Sequence, residues 1–342
     1  MPSTSSLVLA KPAYRFRQSD RVRSSGSTAS VALSVVIVNY RQWGHTFRLV
    51  RSLRREASFR RGEVEIIVVD NCSPGKRHAN RLRRMRGIAL RRWRRNYGYA
   101  RAVNEGCRLG KGNWFLLLNP DIDVDPGFLD DVVQVLSRAE ARTGVVGFHL
   151  RNRDGSRQLS TGPFPTLVGS LLRLFQPRCR RKYDNFPEEE RRRVPWATGC
   201  CALIRRKCLD EVGGFDERFF LYYEDVDFCL RASQAGWNVM YEPAVRARHL
   251  HPLHRSPPTP LSRLVTRHAF LLYAYKHWPR WQFSWLKRII VLEANWHAAY
   301  ATDQQDGNCF RLLIKIASLL EAGRIGKARK LLDKQIEGRS LR

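Results

Sequence analysis

Leu33-Ser-Val-Val-Ile-Val38 is the stretch of sequence that decides the fold, because it is a short, apolar, β-branched run typical of a buried strand. Val64-Glu-Ile-Ile-Val-Val69 and Trp114-Phe-Leu-Leu-Leu118 repeat this pattern. Between the first two runs, apolar residues recur at helical spacing from Trp43 to Leu53. Strands that are continuous apolar runs and alternate with helices predict an α/β fold, a mostly parallel sheet covered by helices on both faces.

Polar residues follow each of these three strands. Asn39-Tyr40 follows the first strand, Asp70-Asn71 the second, and Asn119-Pro120-Asp121 the third. Ligands of parallel α/β sheets bind beyond the carboxyl ends of the strands. The sequence therefore predicts that these residues meet in one binding site.

Carboxylates at two of these strand ends have alternative interpretations. Asp70 can accept hydrogen bonds from a pyrimidine base, or it can simply form a turn. Asp121 and Asp123 are hard oxygen ligands suited to Mg²⁺ or Mn²⁺. The alternative for Asp123 and Asp125 is capping of a helix that opens near Pro126. We assign Asp121 to the metal, Asp125 to the cap, and leave Asp123 open between them.

A third acidic cluster lies between Gly213 and Arg231, where carboxylates are interleaved with aromatic residues. Glu224, Asp225 and Asp227 are predicted near a helix start, which tolerates negative charge without any chemistry. Since the preceding aromatic run is not needed for a cap, we favour an acid/base role for one of them.

Three histidines, His249, His251 and His254, follow in a predicted strand and loop. Their spacing is compatible with a metal ligand or a diphosphate contact. The alternative is that they are ordinary solvated histidines in a basic loop.

Composition places limits on the class of protein. The 342 residues include 61 basic and 31 acidic ones, a formal net charge of +30, which attracts nucleic acid, anionic lipid or phosphorylated substrates. None of the eight cysteines forms a Cys-x-x-Cys pair, which predicts a reducing compartment and no structural zinc. No apolar run approaches the ~18 residues of a membrane-spanning helix.

The predicted organisation has three parts. Residues 1–30 form a disordered basic tail, with a transit peptide as the alternative. Residues 31–255 form the α/β domain. Residues 256–342 form a helical region rich in Trp and Arg, for which association with an anionic membrane surface and a plain core helix are both open.

Six motifs, in this order, resemble the family 2 glycosyltransferases of GT-A fold and their rhamnosyltransferase-like branch. The resemblance covers about Leu33 to Lys276. The motifs are Val35-Val-Ile-Val-Asn39-Tyr40, Val68-Val-Asp70-Asn71, Asn96-Tyr-Gly98-Tyr-Ala100 with Asn104-Glu105-Gly106, Leu117-Leu-Asn119-Pro120-Asp121, Trp196-Ala-Thr-Gly199, and Gly213-Gly-Phe-Asp216-Glu leading to Glu224-Asp225-Val-Asp227.

The resemblance implies a role for each matching residue. Asp225 corresponds to the general base, with Glu224 and Asp227 orienting the acceptor or supporting that base. Asp121 ligates Mn²⁺ or Mg²⁺, Asp123 follows it, and His249 is the nearest match to a histidine that contacts metal or diphosphate. The implied nucleotide-binding residues are Asn39, Tyr40, Asp70, Asn71, Asn96, Gly98, Asn104 and Asn119.

The implied activity is metal-dependent, inverting transfer of a sugar from a dTDP- or UDP-sugar to a glycan or lipid-linked acceptor in cell-surface polysaccharide synthesis. dTDP-rhamnose is the first donor expected, with UDP-linked hexoses or N-acetylhexosamines as alternatives. The implied location is cytoplasmic, including the cytoplasmic face of the inner membrane. Cys200-Cys201 departs from the small residues that are usual beside the donor sugar, which leaves the sugar open. The rival class is a basic nucleic-acid-binding protein, although no specific nucleic-acid motif is present.

Overall fold

A ten-stranded mixed sheet with helices on both faces forms the centre of the protein. The structure, a computed structural model, describes residues 31–172, 182–184, 189–251, 258–301 and 303–340. The tail predicted at residues 1–30 and the histidine at 254 lie outside this part. The strands are β1 (Leu33–Asn39), β2 (Val64–Asn71), β3 (Ile88–Trp93), β4 (Trp114–Leu118), β5 (Ile122–Asp123), β6 (Thr143–Asn152), β7 (Arg157–Gln158), β8 (Arg192–Arg193), β9 (Cys201–Arg205) and β10 (Asn238–His249).

Strand order is β3-β2-β1-β4-β9-β6-β10-β5. β3, β2, β1 and β4 are mutually parallel, which confirms the predicted α/β class. β9 is antiparallel to both β4 and β6, so the second half of the sheet is mixed. The register places Asn39 directly beside Asp70, as expected if the polar strand ends lie together.

Helices cover both faces of this sheet. They are α1 (Trp43–Leu53), α2 (Ala57–Arg60), α3 (Lys76–Arg83), α4 (Tyr99–Leu109), α5 (Phe128–Ser137), α6 (Leu167–Leu172), α7 (Arg206–Val212), α8 (Glu224–Gln234), α9 (Pro260–His277), α10 (Arg280–Ala299), α11 (Gln304–Glu321) and α12 (Ile325–Ser340). Among the described residues, no helix combines the length and the apolar character needed to cross a bilayer.

Alternation along β1 builds two hydrophobic cores. Val35 and Ile37 point into a core with α1 and α5, whereas Val36 and Val38 point into a core with α4 and α8. The second core also contains buried residues of α9 and α11, such as Leu271 and Leu313. The helical C-terminal region therefore packs on the same core as the sheet.

The start of α5 differs from the prediction. Its N-cap is Gly127, which has a φ of 89°, and the helix begins at Phe128. The Gly127 N–H donates to Glu56 Oε2 at 2.9 Å, so a carboxylate distant in sequence satisfies this backbone donor. The prediction that Asp125 caps this helix was wrong, because its carboxylate pairs with Arg248 at 2.8 Å instead.

Candidate active site

Asn39 and Asp70, at the ends of β1 and β2, are fully buried and bonded to each other. Asn39 Nδ2 donates to Asp70 Oδ1 at 3.0 Å and to Ser73 Oγ at 3.0 Å. Arg92 Nε, from the neighbouring β3, donates to Asp70 Oδ2 at 3.0 Å. Both carboxylate oxygens are thus engaged, and a base contact from Asp70 would share Oδ2 with Arg92. Tyr40 follows Asn39 at the same edge of the sheet and is partly exposed.

Asn71 holds the loop between β3 and α4. Its Nδ2 donates to Asn96 Oδ1 at 2.8 Å and to the Gly98 carbonyl at 3.1 Å, and its Oδ1 accepts from Tyr97 N–H at 2.9 Å. The structure therefore brings Asn71, Asn96 and Gly98 together as predicted by their motifs. Their amides mainly bond one another, and they shape the wall beside Asp70.

Asn104 lies on α4 and faces another loop. Its Nδ2 donates to the Phe215 carbonyl at 2.8 Å, and its Oδ1 accepts from Phe215 N–H at 2.9 Å. With its amide engaged on both sides, Asn104 positions the segment ahead of α8. We therefore reassign it from nucleotide contact to support of that segment.

Asp121 and His249 form the candidate metal pair. Asp121 Oδ2 lies 3.3 Å from His249 Nε2, and both side chains are buried. Burial opposes ionisation of Asp121, but the hydrogen bond and charge of His249 outweigh it, so the Asp121 pKa is lowered. Asn119 precedes this pair, is partly exposed, and its backbone N–H donates to the Cys200 carbonyl at 2.8 Å.

The chemistry of this pair fits a divalent cation. Gln158 Nε2 lies 2.9 Å from His249 Nδ1, while Gln158 Oε1 is buried without a hydrogen-bond partner among the described residues. Exchanging the two amide atoms of Gln158 lets its Oε1 accept from His249 Nδ1–H, so that His249 Nε2, once it has released its proton, would be free to bind a metal beside Asp121. One imidazole nitrogen and one carboxylate suit Mn²⁺ or Mg²⁺ completed by phosphate oxygens. Within the described ranges, no cluster of three or more such side chains is found.

Asp123 does not join this pair. Arg248 Nη2 lies 3.0 Å from Asp123 Oδ2, across the antiparallel pairing of β5 and β10. Because its carboxylate is bound by a guanidinium, we remove Asp123 from the candidate metal ligands. The competing interaction comes from a strand far along the chain, which the local motif does not show.

A basic cleft of roughly 450 Å³ opens beside the metal pair. The ring of His251 meets that of His45 edge-on, with centroids 5.2 Å apart. Lining residues are His45, Arg48, Asp123, Arg153, Leu250 and His251. The positive charge and the size of this cleft suit a diphosphate. Three of its basic residues were not singled out by the sequence motifs: His45, Arg48 and Arg153.

Glu224 and Asp225 open α8 and are both buried. Asp225 Oδ2 accepts from Gly199 N–H at 3.1 Å, and the Gly199 carbonyl accepts from the Tyr99 hydroxyl at 2.8 Å. Glu224 Oε2 is buried and has no hydrogen-bond partner in the described part of the chain. Burial, with the charge of Asp225, raises the pKa of Glu224 to about 8.

Lys182 approaches Asp225 from a segment that the sequence analysis passed over. Its Nζ lies 3.7 Å from Asp225 Oδ1 and sits over the rings of Trp196 and Tyr223, at 4.6 and 5.1 Å from their centroids. Aromatic faces attract an ammonium group, so the two rings hold this cation beside the carboxylate. A lone lysine in a basic stretch gives no sequence signal for this contact.

Asp227 is fully buried, and its carboxylate is bound by three neighbouring side chains. It accepts from Arg231 Nε at 2.8 Å and His277 Nε2 at 2.8 Å, and it pairs closely with Lys276. His277, Arg231 and Lys276 outweigh the effect of burial and lower the pKa of Asp227. These partners leave it no free oxygen for an acceptor, so we reassign Asp227 from catalysis to joining α8 and α9.

Strained backbone marks the same edge of the sheet. In the described part of the chain, the non-glycine residues with positive φ are Arg41, Cys72, Tyr222 and Tyr223. Arg41 follows the end of β1, Cys72 follows β2, and the two tyrosines precede Glu224. Such conformations cost free energy and concentrate at functional sites.

Gly199 and Cys200 connect the two halves of the site. Gly199 N–H binds Asp225, whereas the thiol of the next residue, Cys200, lies against His249. The candidate base and the candidate metal pair therefore contact consecutive residues of the chain.

Comparison with known proteins agrees with this arrangement. Residues 31–269 match the model described as glycosyltransferase like family 2. The N-acetylglucosaminyl-diphospho-decaprenol L-rhamnosyltransferase of Mycobacterium tuberculosis is 32% identical over 280 residues, which cover 75% of this chain and 89% of that protein. Rhamnosyltransferase WbbL of Escherichia coli is 30% identical over 150 residues, covering 43% and 56%. The crystal structure of GalNAc-T7 with UDP, GalNAc and Mn²⁺ has a TM-score of 0.55 at 17% identity and covers 90% of this chain and 61% of that one.

Fold and site thus define a glycosyltransferase of GT-A type, which confirms the predicted fold class and decides against the nucleic-acid-binding alternative. The chain belongs to the glycosyltransferase like family 2, and its relatives include rhamnosyltransferases, as the motifs predicted.

Proposed function

We propose that this protein transfers rhamnose, with inversion, from dTDP-rhamnose to a hydroxyl of a lipid-diphosphate-linked sugar at the cytoplasmic face of the membrane. The observation that carries the proposal is the Gly199–Cys200 dipeptide, which separates Asp225 from the Asp121–His249 pair. The named substrates of the mycobacterial relative, a diphospho-decaprenol-linked sugar and an L-rhamnosyl group, support this choice.

Asp225 is the proposed general base. It takes the proton of the acceptor hydroxyl while that oxygen bonds to the anomeric carbon and the bond to the diphosphate breaks. Attack from the face opposite the leaving group gives inversion in one displacement. Gly199 N–H and Lys182 Nζ fix the orientation of the carboxylate, at 3.1 and 3.7 Å from its two oxygens. Glu224, with a pKa of about 8, stays protonated at neutral pH and adds no second charge.

Asp121 and His249 would hold the divalent ion, Mn²⁺ or Mg²⁺, which neutralises charge on the departing nucleoside diphosphate. His45, Arg48 and Arg153 line the adjacent basic cleft and offer cationic partners for the diphosphate. The polar wall for the nucleobase of the donor is provided at the other strand ends by Asp70, Asn71 and Arg92. The nucleobase, the diphosphate with its metal and the acceptor hydroxyl are thereby assigned to separate parts of one site.

The first test is a thermal-shift series with dTDP, UDP and GDP, each with Mn²⁺, Mg²⁺ or chelator. A ligand that binds only the folded state raises the melting temperature. We expect the largest rise with dTDP plus metal, and loss of the metal-dependent part in Asp121→Asn. Asp125→Asn is the matched control and should keep that part, because its carboxylate pairs with Arg248 outside the cleft.

The second test is transfer from dTDP-rhamnose to a diphospho-polyprenyl-linked N-acetylglucosamine. Asp225→Asn should lower kcat by about 10²–10⁴-fold, the range expected for a lost general base, while the dTDP thermal shift is unchanged. Wild-type kcat in Asp225→Asn would refute the base assignment. A thermal shift with UDP but none with dTDP would refute the donor.

A further inference from the structure

Exposed apolar side chains are confined to one place on the described surface. In that part of the chain, the large hydrophobic residues that are exposed all belong to α6 or to α10 and its C-cap. Those of α10 are Trp281, Trp285, Ile289, Leu292, Trp296 and Tyr300. α6, which contributes Val168, Leu171 and Leu172, packs beside α10. A contiguous exposed apolar patch marks an interaction site.

The residues of α10 divide by helical periodicity. Trp281, Trp285, Leu292 and Trp296 follow one another at spacings of four or seven positions and share one side of the helix. We call this side, with Ile289 and Tyr300, the aromatic stripe. The opposite side is buried against the core through residues such as Phe283 and Ile290. The stripe is therefore a second apolar side, which the fold itself does not use.

The chemistry of the stripe is that of a lipid–water interface. Trp and Tyr are amphipathic rings that favour the headgroup level of a bilayer. Exposed Arg280 and Arg288 flank the stripe, and the Arg288 guanidinium lies 5.2 Å from the centroid of the Trp285 ring. The only acid of α10, Glu293, is bound by Arg263 and Arg267. Aromatic residues with flanking cations complement an anionic lipid surface.

The stripe begins beside the catalytic end of α8. Lys276 and His277, just before α10, bind Asp227 two residues after Asp225. The ring of Phe270, on α9, stacks on that of Tyr223, with centroids 5.3 Å apart, and Tyr223 precedes Glu224. The corner between α9 and α10 therefore fixes the stripe relative to the candidate base.

We propose that the aromatic stripe and the apolar residues of α6 lie in the headgroup layer of an anionic bilayer, so that a lipid-linked acceptor reaches Asp225 from the membrane side. This orientation rests on the proposed function, since it assumes a lipid-linked acceptor. Binding to the bilayer itself follows from the stripe alone.

The test is flotation of the full chain with phosphatidylcholine vesicles that contain or lack phosphatidylglycerol. We expect binding to the anionic vesicles, and a loss of at least about tenfold in affinity when Trp281, Trp285 and Trp296 are all changed to Gln, because three rings leave the interface. The matched control changes the same residues to Phe and should retain most of the binding. An unchanged melting temperature in both variants shows that the fold is intact.

Three results would overturn the proposal. One is the absence of wild-type binding to anionic vesicles, and another is equal affinity of the Gln variant and the wild type, which would assign binding to net charge alone. The third is a wild-type dimer that the Gln variant converts to a monomer without changing vesicle binding, which would assign the stripe to a second copy. None of these measurements needs sugar transfer, so membrane binding is tested independently of the proposed activity.

Discussion

At the scale of single residues, Glu224 ties stability to pH. Its unfolded pKa is near 4.5, and burial beside Asp225 raises the folded pKa to about 8. Between these values the folded protein must hold a proton that the unfolded chain has released, so stability decreases as the pH rises through this window. Glu224→Gln cannot ionise and should therefore be more stable than wild type by on the order of a few kcal/mol at pH 8, with no such gain below pH 4.5.

Melting curves of both proteins at pH 4.5 and pH 8 measure this difference. Glu140→Gln, on an exposed side chain, is the control and should change the melting temperature little at either pH. A Glu224→Gln gain of the same size at both pH values would contradict the prediction. A carboxylic acid that reduces stability while it lies beside the candidate base is typical of a functional site.

At the scale of elements, Gly98 controls how the loop after β3 meets the segment before α8. Its φ is 90°, and a Cβ placed there would lie 2.6 Å from the Phe220 carbonyl oxygen. Gly155 also has a positive φ, 81°, but a Cβ there meets nothing within 4 Å. Gly155→Ala should cost only the strain of that conformation, about 1–2 kcal/mol. Gly98→Ala should lower the free energy of unfolding in urea clearly more than Gly155→Ala does, and it should weaken the dTDP thermal shift. Equal losses in the two variants would contradict this prediction.

The joint between α8 and α9 supports a second prediction about elements. Asp227→Ala leaves the largely but not fully buried Lys276 without one of its carboxylate partners, so the free energy of unfolding should decrease by about 3–5 kcal/mol. Asp123→Ala removes a partly exposed ion pair with Arg248 and should cost less than about 1 kcal/mol. Urea unfolding of the two variants compares them directly. A small effect of Asp227→Ala would mean that α9 does not depend on this joint.

At the scale of the whole molecule, the parallel half of the sheet was predictable from sequence. β1, β2 and β4 are predominantly apolar runs that end at or just before polar residues, a pattern that depends on neighbouring residues only. The antiparallel placement of β9 between β4 and β6 was not predictable from sequence, since it depends on pairing between segments far apart in the chain. The fold class was therefore correct, and the mixed character of the sheet was found only in the structure.

The site was predictable to the same extent. Motifs named Asp70, Asp121, Asp225 and their neighbours, because short runs show which residue types follow a strand. They could not show which of these carboxylates a distant cation would bind. Arg248 binds Asp123, and Lys276 binds Asp227, across 125 and 49 residues of sequence. Those long-range pairs separate the structural carboxylates from the ones left for chemistry.

Arg329, on α12, shows how late in the chain the site is completed. Its Nη2 donates to the Tyr97 carbonyl at 2.7 Å, and its Nη1 donates to the Glu217 carbonyl, so one side chain ties the loop before α4 to the segment before α8. During synthesis the sheet and its strand ends leave the ribosome long before this residue does. A nascent chain can thus form the candidate nucleotide edge early, but it joins these two segments only after α12 has emerged.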